Sequence, residues 1–214
     1  MMKKLSHILV ATALSLFTFI FASQQSQTAI GETIIKDQLK YTILSEDSMS
    51  KTGTVSVEAE SKEISGDITI PKTVEKDGYT YSVTMIPNSA FKECKKLTLI
   101  TIPDGITSMG GWAFYRCLRL KNINIPNKLT FIDCAAFCCC WELEEITIPS
   151  SVTEIDFAAF AFCYKLKEVE VPESVTRLGD AAFAGCRGLT IVNYRGNQPL
   201  MGKDVFIDTP LERD

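Results

Sequence analysis

Cys134, Cys138, Cys139 and Cys140 crowd one short stretch of a 214-residue chain. Thiols so placed have three chemistries open to them: cross-linking, metal binding and redox catalysis. Cys134 and Cys138 stand four apart in one turn, so a disulfide between them is one option in an oxidising compartment. Metal binding is not expected, because the cluster lacks a paired half-site and a histidine. Redox catalysis needs a thiolate tuned by nearby cations, and Arg116 and Arg119 alone are close in the repeat described below. The plainest reading is free thiols that fill space, with Cys139 exposed. His7 is the sole histidine. The chain has no Gly-rich phosphate loop, no HExxH, no nucleophile elbow and no EF-hand loop, and its carboxylates are too dispersed to pair as in a glycosidase. No catalytic residue, metal or cofactor is expected.

The amino-terminal end strengthens that exclusion. Lys3 and Lys4 precede an apolar run of 15 residues, Ile8 to Ala22, followed by small residues. This is the layout of a cleaved secretory signal at 1–22, with Ala29 a second cleavage choice. The run falls short of the ~20 residues a membrane-spanning helix needs. Cleavage removes His7, and with it Ser-His-Asp, Cys-His and His-ligated metal chemistry. It also removes Lys3 and Lys4 but no acidic residue, taking the net charge from −4 to −6. An acidic mature chain argues against nucleic acid and against direct binding to anionic membranes.

The elements that position the cysteines are repeats. The pattern Ala-Phe-x-x-Cys-x-x-Leu-x-x-Ile-x-Ile-Pro recurs every 23 residues. It places Phe at 91, 114, 137, 160 and 183, and Cys at 94, 117, 140, 163 and 186. A period of this length predicts a solenoid in which each unit buries its apolar face against its neighbours. Five of the eight cysteines share one column and read as small buried hydrophobes. Each coil is expected to have three sides. The first is a short strand such as Leu143–Ile148 ended by Pro149. The second is an extended stretch such as 151–155, and the third is one short helical turn carrying Ala-Phe. Val83 aligns with Ile106, Leu129, Val152 and Val175. Phe206 continues the aromatic column, so a sixth coil begins there.

The implied organisation is a flexible leader at 23–37, a β-hairpin amino-terminal cap at 38–82, repeats at 83–206 and a polar tail at 207–214. In the cap, Leu39, Tyr41 and Ile43 alternate with polar residues, as do Val55, Val57 and Ala59. Asp77-Gly78 signals a hairpin. The tail is expected to be a frayed cap or a truncation.

The unit Leu-x-x-Ile-x-Ile-Pro-x-x-Val-Thr-x-Ile-x-x-x-Ala-Phe-x-x-Cys resembles the BspA-type leucine-rich repeat of bacterial surface proteins. Gly66–Pro71 followed by Gly78–Thr84 resembles that family's entry module. The likeness covers about residues 66–206. It implies a leucine-rich-repeat solenoid of the right-handed α/β superhelix class, and a secreted, cell-surface or periplasmic binding protein, in some relatives an adhesin for host matrix proteins. It carries over no catalytic residues. The chain departs from the usual pattern in its Cys138-Cys139-Cys140 run and in bulky residues just after the repeat Cys.

Two surfaces are candidates for a protein or glycan ligand. Outward positions of the concave strands form the columns Leu99, Asn122, Glu145, Glu168, Ile191 and Thr101, Asn124, Thr147, Glu170, Asn193. Their acidic centre is either a ligand site or simply a solvated face. The column after the repeat Cys holds Leu118, Trp141 and Tyr164, with Lys95 before and Arg187 after, and Tyr115 and Phe162 on the same turns. Such groups form either a binding ladder or local packing. The alternative to ligand binding is assembly, with the last coil stacking on another chain. The oligomeric state is left open.

Overall fold

The computed structural model describes residues 29–213. The signal sequence read at 1–22 lies outside the described residues, as does most of the leader. Every element below belongs to one compact unit, Gly31–Asp214.

Its entry is antiparallel. β1 (Thr33–Lys36), β2 (Leu39–Asp47) and β3 (Thr52–Ala59) pair in sequence order. Strand pairing therefore starts inside the segment read as a leader, because Thr33–Lys36 lies along Leu39–Thr42. Leu39, Tyr41, Ile43, Val55 and Val57 are buried, as the alternation of apolar and polar residues requires. After β4 (Ser65–Thr69), β5 (Thr73–Lys76) and β6 (Tyr79–Ile86) form a hairpin whose register closes at Lys76↔Tyr79. Asp77 and Gly78 both have positive φ, at 51° and 78°, as a two-residue primed turn demands. β6 also lies parallel to β3, so this strand joins the antiparallel entry to a parallel stack. Gly53 is needed here: a Cβ on it would stand 2.7 Å from the ring of buried Tyr81.

Two ladders of short parallel strands follow. One is β4, β7 (Lys96–Thr101) and β9 (Asn122–Ile123), continued by a Thr147↔Glu170 bridge to β12 (Glu168–Val171) and β14 (Ile191–Tyr194). The other passes from β6 to β8 (Ser108–Met109). It resumes in β10 (Phe131–Ile132), β11 (Glu154–Ile155), β13 (Arg177–Leu178) and β15 (Leu200–Met201). Where strands are too short to pair, side chains take over. Asn124 Oδ1 accepts from Ile102 N at 2.8 Å, and its Nδ2 donates to Ile102 O at 2.7 Å.

The third side corrects an expectation. It is not a helical turn: among the described residues the only helical element is a 3₁₀ turn at Pro210–Arg213. An α-helix would direct its amides to its own carbonyls. Here alternate amides leave the coil. Ala135, Phe137 and Cys139 donate to the carbonyls of Phe157, Ala159 and Ala161 in the next coil, at 2.8–2.9 Å. The intervening Ala136, Cys138 and Cys140 donate three residues back. Two left-handed residues per coil make this alternation. One set is Ser89, Trp112, Ala135, Ala158, Ala181 and Asp204; the other is Glu93, Arg116, Cys139, Phe162, Gly185 and Asp208. Asp208 continues its column and Gly185 N donates to Ile207 O. Residues 207–208, read as tail, thus complete the sixth turn.

The core is a stack of rings. Phe91, Phe114, Phe137, Phe160 and Phe183 are fully buried. Successive centroids lie 5.0–5.6 Å apart with planes within 7° of parallel. Phe206 adds a sixth ring at 5.7 Å. The column cysteines have a polar role beyond filling space. The Sγ of Cys117, Cys140, Cys163 and Cys186 donates to the carbonyl of Phe91, Phe114, Phe137 and Phe160 at 3.1–3.3 Å, bonding each coil to the one before.

Candidate functional site

Trp141 and Tyr164 occupy the same place in adjacent coils, one residue past the buried Cys140 and Cys163. Their rings stack with centroids 5.7 Å apart. The guanidinium of Arg187 lies 5.3 Å from the Tyr164 centroid and extends the column by a cation–π contact. Trp141 keeps 39% of its surface exposed, and Tyr164 is half-buried. Inter-coil bonds hold the pitch: Lys165 N donates to Trp141 O at 3.2 Å, and Lys165 pairs with Glu142 at 2.6 Å. Phe162 meets Tyr164 edge-on at 6.4 Å and is itself exposed. Its position is secured by Gly185, where a Cβ would come within 2.5 Å of the Phe162 ring.

The other residues of the predicted ladder behave differently. Leu118 is half-buried at the head of the column and adds no ring. Tyr115 belongs to a separate group: it packs on a cluster of Ala135, Cys138, Ala158, Ala161 and Ala184, with Lys92 and Arg116 against its face at 5.6 and 6.0 Å.

Glu145, Glu168 and Glu170 converge on one shallow depression of about 350 Å³, shared with Glu144, Ile146, Thr147 and Lys167. The register sets Glu168 beside Ile191 and Glu170 between Thr147 and Asn193. This face is less bare than its charge suggests. Glu168 accepts from Asn193 Nδ2 at 2.6 Å. Glu170 is bonded by Arg195, which holds its carboxyl below the usual range. Four residues separate Trp141 from Glu145 and Tyr164 from Glu168, at most about 14 Å of extended chain.

All eight cysteines are free. Cys139, expected to be exposed, is half-buried, and its sulfur lies 3.6 Å from that of Cys138. The hydrogen bond from Cys138 holds the Cys139 thiol below the ordinary thiol range against the cost of burial, helped by Arg116 and Trp141. Among the described residues no group of His, Cys, Asp and Glu is placed to hold a metal, and no helix is long and apolar enough to cross a membrane. The sequence reading missed Arg195 as partner of Glu170, and the exposed Trp112, Phe131 and Phe157 on other columns. Each of the three aromatics breaks a column otherwise filled by unlike residues, which is a signal visible in the repeat alignment.

The repeats match the model of the BspA type leucine rich repeat region in 6 copies over residues 79–212. No curated protein matches the chain. Among solved structures it is similar to a leucine-rich repeat protein from Bacteroides ovatus, at 32% identity and a TM-score of 0.66 over 75% of this chain. It is equally similar to a leucine rich cell surface protein from Faecalibacterium prausnitzii, at 31% identity and 0.66 over 83%. The chain spans 40% and 46% of the lengths of those two proteins. A leucine rich repeat protein of T. pallidum shares the fold at 22% identity and a TM-score of 0.61. With the repeat model covering more than half of its residues, the chain belongs to the BspA-type leucine-rich-repeat family.

Proposed function

We propose that this chain is a non-catalytic binding module, exported to the cell surface, the periplasm or the medium, that recognises a protein or glycan through the rim of its solenoid. The observation that carries the reading is the partly exposed Trp141–Tyr164–Arg187 column at coil pitch. Rigid aromatics on a stacked backbone offer contact area at low entropic cost, and Trp, Tyr and Arg are the residues that dominate binding hot spots. The acidic depression beside it favours a ligand that is basic or rich in hydroxyl groups. Leu118 and Phe162 then support the rim, while Tyr115 stands apart on the alanine cluster. The likeness to a cell surface protein supports the location. The test is the purified chain on an array of matrix proteins and glycans, with Trp141→Ala as control. Retention of every signal by a folded Trp141→Ala protein removes the rim from the reading. Sequencing the amino terminus of the exported protein tests the signal at 1–22: recovery of Met1 defeats it.

A second reading is assembly by coil stacking. β15 is an outer strand of its sheet, and Leu200 on it is 75% exposed. Light scattering separates the two readings, since stacking requires a mass above that of one chain.

A further inference from the structure

Cys138 and Cys139 form a pair unlike any other in the molecule. Their sulfurs lie 3.6 Å apart, yet the two thiols differ in access. Cys138 is buried under Tyr115 among alanines, whereas Cys139 is half-exposed. The left-handed backbone of Cys139, φ 63°, turns the chain between the two residues. That turn is held on both sides: Arg116 N donates to Cys138 O at 2.9 Å, and Cys139 N donates to Ala161 O at 2.8 Å. Arg116 occupies the position of Cys139 in the preceding coil, so its charge is close to the more accessible sulfur. Trp141, two residues on, also favours the ionised form of that thiol. A cation, a thiol donor and partial exposure are the surroundings that make a cysteine nucleophilic.

We propose that Cys139 is a site of thiol–disulfide exchange with small-molecule disulfides, and that Cys138 is its resolving thiol. In the first step the Cys139 thiolate attacks one sulfur of R–S–S–R. A Cys139–S–S–R bond forms, the R–S–S–R bond breaks, and the released thiolate RS⁻ takes up the proton that Cys139 gave up. In the second step Cys138 loses its proton and its sulfur attacks the sulfur of Cys139. The Cys138–Cys139 disulfide forms, the Cys139–S–S–R bond breaks, and the second R group leaves as RSH. The protein pair loses two electrons and two protons, and the disulfide becomes two thiols. The order of events follows from the geometry. An external disulfide reaches half-exposed Cys139 before buried Cys138, and Cys138 then meets the mixed disulfide from within. The product is a labile switch and not a staple. Neighbouring Cα atoms lie about 3.8 Å apart, below the usual 4.4–6.8 Å window for a disulfide, and strained disulfides are readily reduced.

The experiment incubates the reduced, folded full chain with oxidised glutathione, blocks free thiols and maps the peptides by mass spectrometry. Loss of two hydrogens, located to a linked Cys138–Cys139 pair and reversed by a dithiol, is the expected result. Cys138→Ser should stop at a stable glutathione adduct on Cys139, and Cys139→Ser should react at least about tenfold more slowly. A Cys134–Cys138 bridge, a first adduct on Cys134 or an unchanged rate in Cys139→Ser overturns the proposal. The unaltered chain supplies a test free of folding effects. Brief iodoacetamide labelling should modify Cys139 at least about tenfold faster than Cys134, and equal rates overturn the assignment.

Discussion

Two columns of side chains run along this solenoid at the same pitch, one inside and one at the rim. The inner column repeats one residue type: five buried phenylalanines, each stacked on the next at 5.0–5.6 Å. The rim column changes at every coil, from Leu118 to Trp141 to Tyr164 to Arg187, and is partly exposed. The same backbone bonds set both. The difference shows how a repeat divides its labour. A column that every coil keeps supports the stack, because each ring completes the pocket of its neighbour. A column that varies from coil to coil adds nothing periodic to the core and is free to carry a specific surface.

The largest expected effect removes a ring from the inner column. Phe137→Ala should cost roughly 3–5 kcal/mol by the usual loss for a buried aromatic, and both neighbouring coils lose a stacking partner. Thermal or denaturant unfolding checks it against Lys121→Ala on the exposed surface. Equal shifts in the two variants would erase the distinction between columns.

Alkali should attack the inside before the rim. Burial raises the thiol of Cys94 to about 12 and pushes Cys117, Cys140 and Cys163 up as well. In the unfolded chain these thiols ionise near 9. Between the two values the folded chain holds more protons at these sites than the unfolded one, so their contribution to stability is full below pH 9 and falls as pH rises above it. Each thiol contributes up to about 1.4 kcal/mol per pH unit. Unfolding midpoints recorded upward from pH 9 should therefore drop, and Cys140→Ala should flatten the drop. Thiol reagents at neutral pH should modify Cys139 and spare the column cysteines.

How far these columns were legible depended on which bonds held them. The 23-residue register, the buried faces of Val83, Ile106, Leu129, Val152 and Val175, and the concave pairing of Leu99 with Asn122 follow from side-chain pattern alone. The turn carrying Ala-Phe did not. A segment of six or seven residues is too short to settle a helix by propensity, and its outcome was decided by amides bonded to a coil 22 residues away. Its left-handed positions gave little warning, since the column of Glu93, Arg116, Cys139 and Phe162 contains one glycine, Gly185. The rim was legible as a spacing, and the Trp141–Tyr164 contact followed from pitch. The placement of Tyr115 did not follow, because the space opened by Ala135, Ala158 and Ala161 drew it elsewhere. The partnership of Cys138 with Cys139 was hidden for a related reason: it accompanies a left-handed backbone at Cys139, where no glycine gives warning.

A smaller effect separates surface from support at the rim itself. Trp141→Ala should weaken ligand binding by about 2 kcal/mol, a hot-spot loss, while shifting the melting temperature far less than Phe137→Ala. Isothermal titration of the folded variant checks it. Unchanged affinity joined to a lowered melting temperature would place Trp141 with the supporting columns.

The smallest expected effect lies on the concave face. Glu168 is exposed and accepts a hydrogen bond from Asn193. Glu168→Gln keeps an acceptor oxygen at that place and removes the charge, so the change isolates electrostatics from packing. Exposed charges in water are worth ~0.2–1 kcal/mol, and the local field is already reduced by Arg195 on Glu170 and by Lys167. A basic ligand should therefore bind Glu168→Gln less than about fivefold more weakly at low salt. The deficit should fade as salt shortens the screening length to about 8 Å at physiological strength and further beyond it. Binding measured across a salt series decides the matter. A loss larger than that of Trp141→Ala, undiminished by salt, would move the centre of recognition from the aromatic column to the acidic one.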